Sequence, residues 1–233
     1  MLAQASPWHL HALQRTSAEP AGALAVPARM EWGTRPGEGP DADLLGADLR
    51  GRHVLELGCG PGHNVAHVAV HRGATVTGVD LVGLQIRRAR CHYGRLAGAR
   101  FVAGHALHHL QATAEKYNAI YSVFGAIGLV APELLLPALA GRLAPRGTLA
   151  FSVPHPCRAG HRPSADDRPR QDFVTLPDRT RLPIARWEFD AERWGLHLAR
   201  AGLEITSSQE LRDAHPGHRP TALLITARRV KAA

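Results

Sequence analysis

Lysine is almost missing from this chain. Lys116 and Lys231 are the only two, so arginine carries nearly all of the positive charge. Adjacent basic residues come only in short blocks such as Arg87-Arg88 and Arg228-Arg229, and no dense basic tail exists. The net charge of +8 therefore reads as an arginine-rich solvated surface, typical of a GC-rich genome, and disfavours a nucleic-acid partner. Long apolar runs are also lacking. None approaches the roughly eighteen residues of a membrane-spanning helix, so no membrane partner is expected. Cys59, Cys91 and Cys157 are scattered without metal or disulfide spacing. Met1 to Leu13 has neither the basic opening nor the apolar centre of an export signal, and the expected compartment is the cytoplasm. What remains, 233 residues with 45% hydrophobic content, suffices for one substantial core.

The informative segment is Val54-Leu55-Glu56-Leu57-Gly58-Cys59-Gly60-Pro61-Gly62-His63-Asn64. An apolar run reads as a buried strand, the glycines as a tight turn, and Val65 onward as a helix. Glycine there lets a ligand approach the backbone and permits positive φ. Amides at the start of the helix then face whatever occupies the turn. A second strand, Thr75 to Val79, ends in Asp80, placed to accept hydrogen bonds from a ribose diol. The turn reads G-x-G-x-G, not the G-x-G-x-x-G of dinucleotide sites, which disfavours a nicotinamide dehydrogenase. Glu56 would repel a pyrophosphate but suits a ligand with an ammonium and a sulfonium.

With these features the chain resembles the class I S-adenosylmethionine-dependent methyltransferases, over roughly residues 40 to 230. Glu56 to Gly62 match the first motif, and Asp80-Leu81 the ribose-binding acid. Phe101 to Ala106 match the third strand and adenine loop, Tyr117 to Phe124 the fourth strand, and Leu143 to Leu149 the turn into the fifth. Two positions depart from the pattern. His105 stands where Gly-Asp-Ala is usual, and Asn118 replaces the acid that opens the fourth strand. The resemblance implies a Rossmann-like, seven-stranded, mostly parallel sheet with helices on both faces and a C-terminal antiparallel hairpin. It implies S-adenosylmethionine as cofactor and S-adenosylhomocysteine as product. Glu56, Gly58, Cys59, Gly60, Gly62, Asp80, Leu81, His105, Ala106, Ser122 and Trp32 are the expected cofactor contacts.

Four segments are expected: an N-terminal helix and cap loop over 1–40, a cofactor core over 41–153, a substrate-side lid over 154–189, and a closing helix and hairpin over 190–233. Residues 154–187 hold six prolines and seven arginines without helical period. Two short apolar runs there, 173–176 and 181–184, predict a hairpin. His155, in Ser-x-x-His-Pro at the end of the fifth strand, is the candidate catalytic base or substrate contact. Arg158, Arg162, Arg181 and Arg186 make the lid basic, so Arg158, Arg181 and Arg186 are candidates for an acidic acceptor. His63, His67 and His71 recur every four residues, but no acid or cysteine accompanies them, so a polar helix face is expected and no metal. Cys157 reads as structural. The expected activity is methyl transfer to oxygen or nitrogen of a small molecule in specialised metabolism, by a monomer or homodimer. Alternatives are an RNA or DNA methyltransferase, disfavoured because Tyr121-Ser122-Val123-Phe124 lacks the Pro-Pro-aromatic segment used on base nitrogens, and a non-catalytic cofactor-binding protein.

Overall fold

The computed structural model describes residues 6–16, 22–35, 37, 39–212 and 219–230. The first five residues of the expected N-terminal helix and Pro36 of the cap loop lie outside them. The helix itself is α1 (Pro7–Thr16). A 3₁₀ turn (Ala42–Leu45) follows, capped by the Asp41 carboxylate and ended by Gly46 at φ 148°. The turn stops there because the backbone at Gly46 leaves helical space.

From this point strands and helices alternate: β1 (His53–Leu57), α2 (His63–His71), β2 (Thr75–Asp80), α3 (Gly83–Tyr93), β3 (Ala99–Ala103), α4 (Ala106–Ala112), β4 (Tyr117–Val123), α5 (Pro132–Arg142) and β5 (Leu143–Pro154). Then come the hairpin β6 (Arg170–Thr175) and β7 (Arg181–Arg186), helix α6 (Ala191–Arg200), and strands β8 (Leu203–Arg212) and β9 (Pro220–Arg229). The seven-stranded sheet has the order β3-β2-β1-β4-β5-β9-β8, and β6-β7 form a separate two-stranded sheet. Strands β1 to β5 run parallel, whereas β9 lies antiparallel to both β5 and β8. The fold is therefore Rossmann-like, closed by a reversed hairpin.

Alternation along the strands divides the core into two layers. Leu55, Leu57, Ile120 and Phe151 face α4, α5 and α6, where Trp194 packs edge-on against Phe151 and Phe189 at 5.2 Å each. Val54, Val76, Tyr121 and Ala150 face α2, α3 and the strap of residues 22–35, which contributes Met30 and Trp32. Histidines fasten that strap. His92 Nδ1 bonds the Gly22 carbonyl at 2.7 Å, and His67 Nδ1 bonds the Pro27 carbonyl at 3.0 Å. Of the expected polar face of α2, His67 is buried because the strap covers it, whereas His71 stays exposed. His63 turns instead to the Tyr93 hydroxyl at 2.8 Å.

Sheet order decides where a ligand can lie. The chain leaves β3 at one edge and re-enters at β4, on the far side of β1, so the crevice of this switch opens beyond the carboxyl ends of β1 and β4. Helix α1 contacts α3, β6 and β7, and Gln14 Nε2 donates to Asp178 Oδ2 at 2.8 Å on the hairpin tip.

Candidate active site

The turn after β1 is tied to β2 by its own backbone. Gly58 and Cys59 N–H both donate to the Val79 carbonyl, at 2.7 and 3.0 Å. The glycines of this turn serve different ends. A Cβ on Gly58 (φ +81°) would lie 2.6 Å from Gly125 Cα, and one on Gly62 (φ +87°) would lie 2.7 Å from the Phe101 ring. Close packing demands both. At Gly60 (φ +52°) the nearest atom to an added Cβ is Gln85 Nε2 at 4.0 Å, so that backbone faces open space. Gly60 N–H donates to Asp80 Oδ2 and Val82 N–H to Oδ1, each at 2.8 Å. The Asp80 carboxylate therefore holds the turn and keeps lone pairs on both oxygens for a ligand. Burial raises its pKa against the pull of the two amides. Leu81, beside it, is exposed. The Cys59 thiol is buried, and desolvation with the carboxylates of Glu56 and Asp80 pushes its pKa up, leaving it unreactive.

Glu56 lies beneath the turn, almost fully buried. Tyr121 Oη donates to its Oε2 at 3.1 Å, and the Asn64 side chain and Val65 N–H also bond it. Desolvation outweighs these bonds and pushes its pKa from 4.5 to about 8. The native protein thus keeps this proton over a range in which an unfolded glutamate has lost it. Stability falls as pH rises between those two values and then levels off, with a slope on the order of 1.4 kcal/mol per pH unit from this group. Glu56→Gln is expected to flatten that slope in urea unfolding between about pH 5 and about pH 8. Parallel wild-type and variant curves would show that Glu56 is ionised throughout.

Asn118, at the place of the missing acid, caps the start of β1: its Oδ1 accepts from His53 N–H at 3.1 Å. His105 sits at the end of the adenine-type loop just before α4, with Ala106 as the first residue of that helix. Its Nδ1 is buried without a protein partner, and burial, aided by nearby His108, lowers its pKa, so the ring is neutral. Two expected contacts move out of ligand reach. Ser122 is fully buried, its Oγ donating to the Leu57 carbonyl at 2.8 Å. Trp32 is also fully buried, edge-on to Tyr121 at 6.1 Å with Nε1 donating to the Asp41 carbonyl. A residue with no exposed surface cannot meet a ligand, so Ser122 buttresses the turn and Trp32 plugs the strap against the sheet. Phe124, just past β4, is held at φ 47°. Left-handed backbone disfavours an aromatic residue by about 1–2 kcal/mol, and nothing in the sequence forecast strain at this crevice.

Two cavities share Gly33, and neither is lined by Gly60 or Asp80. The larger, about 500 Å³, lies between Arg29 and Glu31 of the strap, His63 and Asn64 of α2, and Val123 of β4. The smaller, about 220 Å³, lies between Thr34 and Arg35 on one side and Glu210, Arg212 and Thr221 on the other. His155 borders this second region, since its N–H donates to the Thr221 carbonyl at 2.9 Å and its Nε2 lies 3.3 Å from Glu210 Oε1. His155 Nδ1 accepts from Cys157 N–H at 3.1 Å, which puts the proton of the neutral ring on Nε2, facing Glu210. Neither nitrogen is left to take a proton from a ligand. Burial lowers the pKa of this ring against the upward pull of Glu210.

The arginines of the expected lid find other partners. Arg158 pairs with Asp172 at 2.9 Å and Glu188 at 2.6 Å, and Arg186 pairs with Asp172 at 2.7 Å. Arg181 lies 4.2 Å over the Phe173 ring. These contacts brace the hairpin internally, and the expectation that the three arginines converge on an acceptor gives way to Arg35 and Arg212 as the guanidinium side chains lining the smaller cavity.

Comparison with known proteins agrees with this geometry. Residues 54–147 match the family model described as a methyltransferase domain. The chain is 33% identical over 142 residues to a trans-aconitate 2-methyltransferase of Delftia acidovorans (strain DSM 14801 / SPH-1), covering 59% of this chain and 50% of that protein. It is 31% identical over 178 residues to the one of Klebsiella pneumoniae (strain 342), covering 71% and 62%. The chain spans about half the length of the curated relatives it matches. Among solved structures, an S-adenosylmethionine-dependent methyltransferase of Mesorhizobium loti superposes with a TM-score of 0.60 at 20% identity, covering 79% of this chain and 94% of that one. The matched methyltransferase domain holds the glycine turn, the acid after β2 and the switch-point crevice, and in these features and in its fold the chain resembles the class I S-adenosylmethionine-dependent methyltransferases.

Proposed function

We propose that the protein transfers a methyl group from S-adenosylmethionine to a small acidic molecule. One observation carries this reading: an open glycine backbone at Gly60, tied to the Asp80 carboxylate, lies at the crevice where the strand order reverses. The residues fit the cofactor. Asp80 retains acceptor capacity for a ribose diol, and the buried, unpartnered Nδ1 of neutral His105 suits the adenine edge beside Leu81 and Ala106. The Asp80 carboxylate gives the turn a negative field that favours a cationic ligand over a pyrophosphate. When bound, S-adenosylmethionine supplies a methyl group already activated on its sulfonium. The protein then has to align the acceptor and exclude water. We assign that task to the strap and to the hairpin β6–β7, against which α1 packs. An acceptor carboxylate is anionic at neutral pH and needs no base to react, in keeping with a His155 whose nitrogens are both engaged.

The relatives named for trans-aconitate support an acidic acceptor, as do Arg35 and Arg212 at the smaller cavity. We place the enzyme in a reducing cytoplasm, to which three free cysteines are suited; among the described residues no helix is long and apolar enough to cross a membrane. Calorimetry with S-adenosylhomocysteine tests the cofactor half, and folded protein giving no heat at millimolar concentration would remove it. Initial rates for small carboxylic acids and their carboxamides test the acceptor half. The acids are expected to react at least about tenfold faster, one lost charge-assisted hydrogen bond being worth roughly that factor. Equal rates within each pair would overturn the acidic acceptor.

A further inference from the structure

Gln85 belongs to no motif, yet its side chain lies nearest to the open side of Gly60. A Cβ added at Gly60 would find Gln85 Nε2 at 4.0 Å and nothing closer. Gln85 is the third residue of α3, and its N–H donates to the Val82 carbonyl at 2.9 Å as the helix begins. Helical side chains lean toward the N-terminus of their helix, so this one is carried back toward the glycine turn. Arg88, one turn further on, orients the amide: its Nη1 donates to Gln85 Oε1. A guanidinium can only donate, so the amide oxygen must face Arg88 and the Nε2 hydrogens are left for the Gly60 side. Among the described residues no acceptor bonds Nε2.

The Asp80 carboxylate reaches the same glycine, accepting from Gly60 N–H at 2.8 Å. A donor and an acceptor thus meet at Gly60. A hydroxyl group satisfies both at once, because it gives one hydrogen and accepts on its lone pairs. A fully ionised phosphate only accepts and has no hydrogen to give Asp80. We propose that Gln85 is a ligand-binding residue of the sugar site. Its Nε2 donates to an oxygen of the ribose diol whose hydrogens go to Asp80. This assignment deepens the methyl-transfer reading above and rests on it, and the test separates the two.

Calorimetry with S-adenosylhomocysteine comes first. If folded wild type fails to bind it, the methyl-transfer reading falls and the role of Gln85 falls with it. With wild type binding, Gln85→Ala is expected to bind about three- to tenfold more weakly, the usual worth of one hydrogen bond between neutral groups. Gln85→Glu keeps an acceptor for Arg88 but replaces the donor by a second carboxylate near Asp80, and should lose at least about tenfold. Gln85 is only partly buried, and urea unfolding of each variant verifies that it is folded. Analogues then locate the contact. With 5′-methylthioadenosine, which lacks the amino-acid half, Gln85→Ala should show the same loss. The 2′-deoxy and 3′-deoxy forms of S-adenosylhomocysteine each lack one hydroxyl. For at least one of them Gln85→Ala should cost less than about twofold, because the oxygen it served is gone. Three results overturn the proposal and leave the methyl-transfer reading standing: equal affinity of wild type and Gln85→Ala for S-adenosylhomocysteine, a loss that survives with both deoxy forms, or one that vanishes with 5′-methylthioadenosine.

Discussion

Asp80→Ala is expected to weaken S-adenosylhomocysteine binding at least about a hundredfold, the equivalent of about 2.7 kcal/mol. The carboxylate holds the turn through Gly60 N–H and Val82 N–H, and in the proposed complex it also takes the ribose diol. Hydrogen bonds to a charged group are worth about 1.5–3 kcal/mol each, so losing the ribose contacts alone reaches this size. Asp80→Asn keeps the shape and one acceptor oxygen, and its loss should fall nearer tenfold. Calorimetry on both variants, with unfolding curves to show that each is folded, gives the comparison. An alanine variant binding within about threefold of wild type would mean that the diol is held elsewhere.

The second large effect separates two glycines that look alike in sequence. Gly58→Ala would put a methyl group 2.6 Å from Gly125 Cα and 3.0 Å from Ala126 N, both backbone atoms that cannot swing aside. Added to left-handed φ, this overpacking should destabilise the protein by about 3 kcal/mol or more. Gly60→Ala meets nothing closer than 4.0 Å, so the fold loses only about 1–2 kcal/mol for its φ of +52°. Its methyl group, however, projects into the space a ligand must enter. Unfolding and S-adenosylhomocysteine titration should therefore cross: Gly58→Ala fails chiefly in stability, Gly60→Ala chiefly in binding. Equal losses of stability in both would refute the distinction.

Much of the architecture was legible because its signals are local. The apolar run before Gly58, the helix after Gly62 and the acid at Asp80 are separated by fixed spacings, and β1, α2 and β2 form where those spacings put them. The hairpin β6–β7 was legible too, from two apolar runs around Pro177-Asp178, since a turn and its flanking strands are neighbours in sequence. Role was harder to read than position. Gly58, Gly60 and Gly62 share one motif, but only the distance to Gly125, to Phe101 or to open space tells what each is for. Trp32, Ser122, Arg158 and Arg186 carry the right chemistry for a ligand, and burial or an internal partner occupies each of them.

Spacing and residue type alone were enough for the strand–turn–helix unit and the class of fold, because backbone conformation and apolar periodicity act over a few residues. The acceptor side belongs to tertiary structure. Glu210 and Arg212 reach His155 because β9 pairs antiparallel with β5, and β8 with β9, which brings the end of β8 beside the end of β5. Strand pairing joins residues far apart in the chain, and a charge meets its partner only after the sheet has chosen its order.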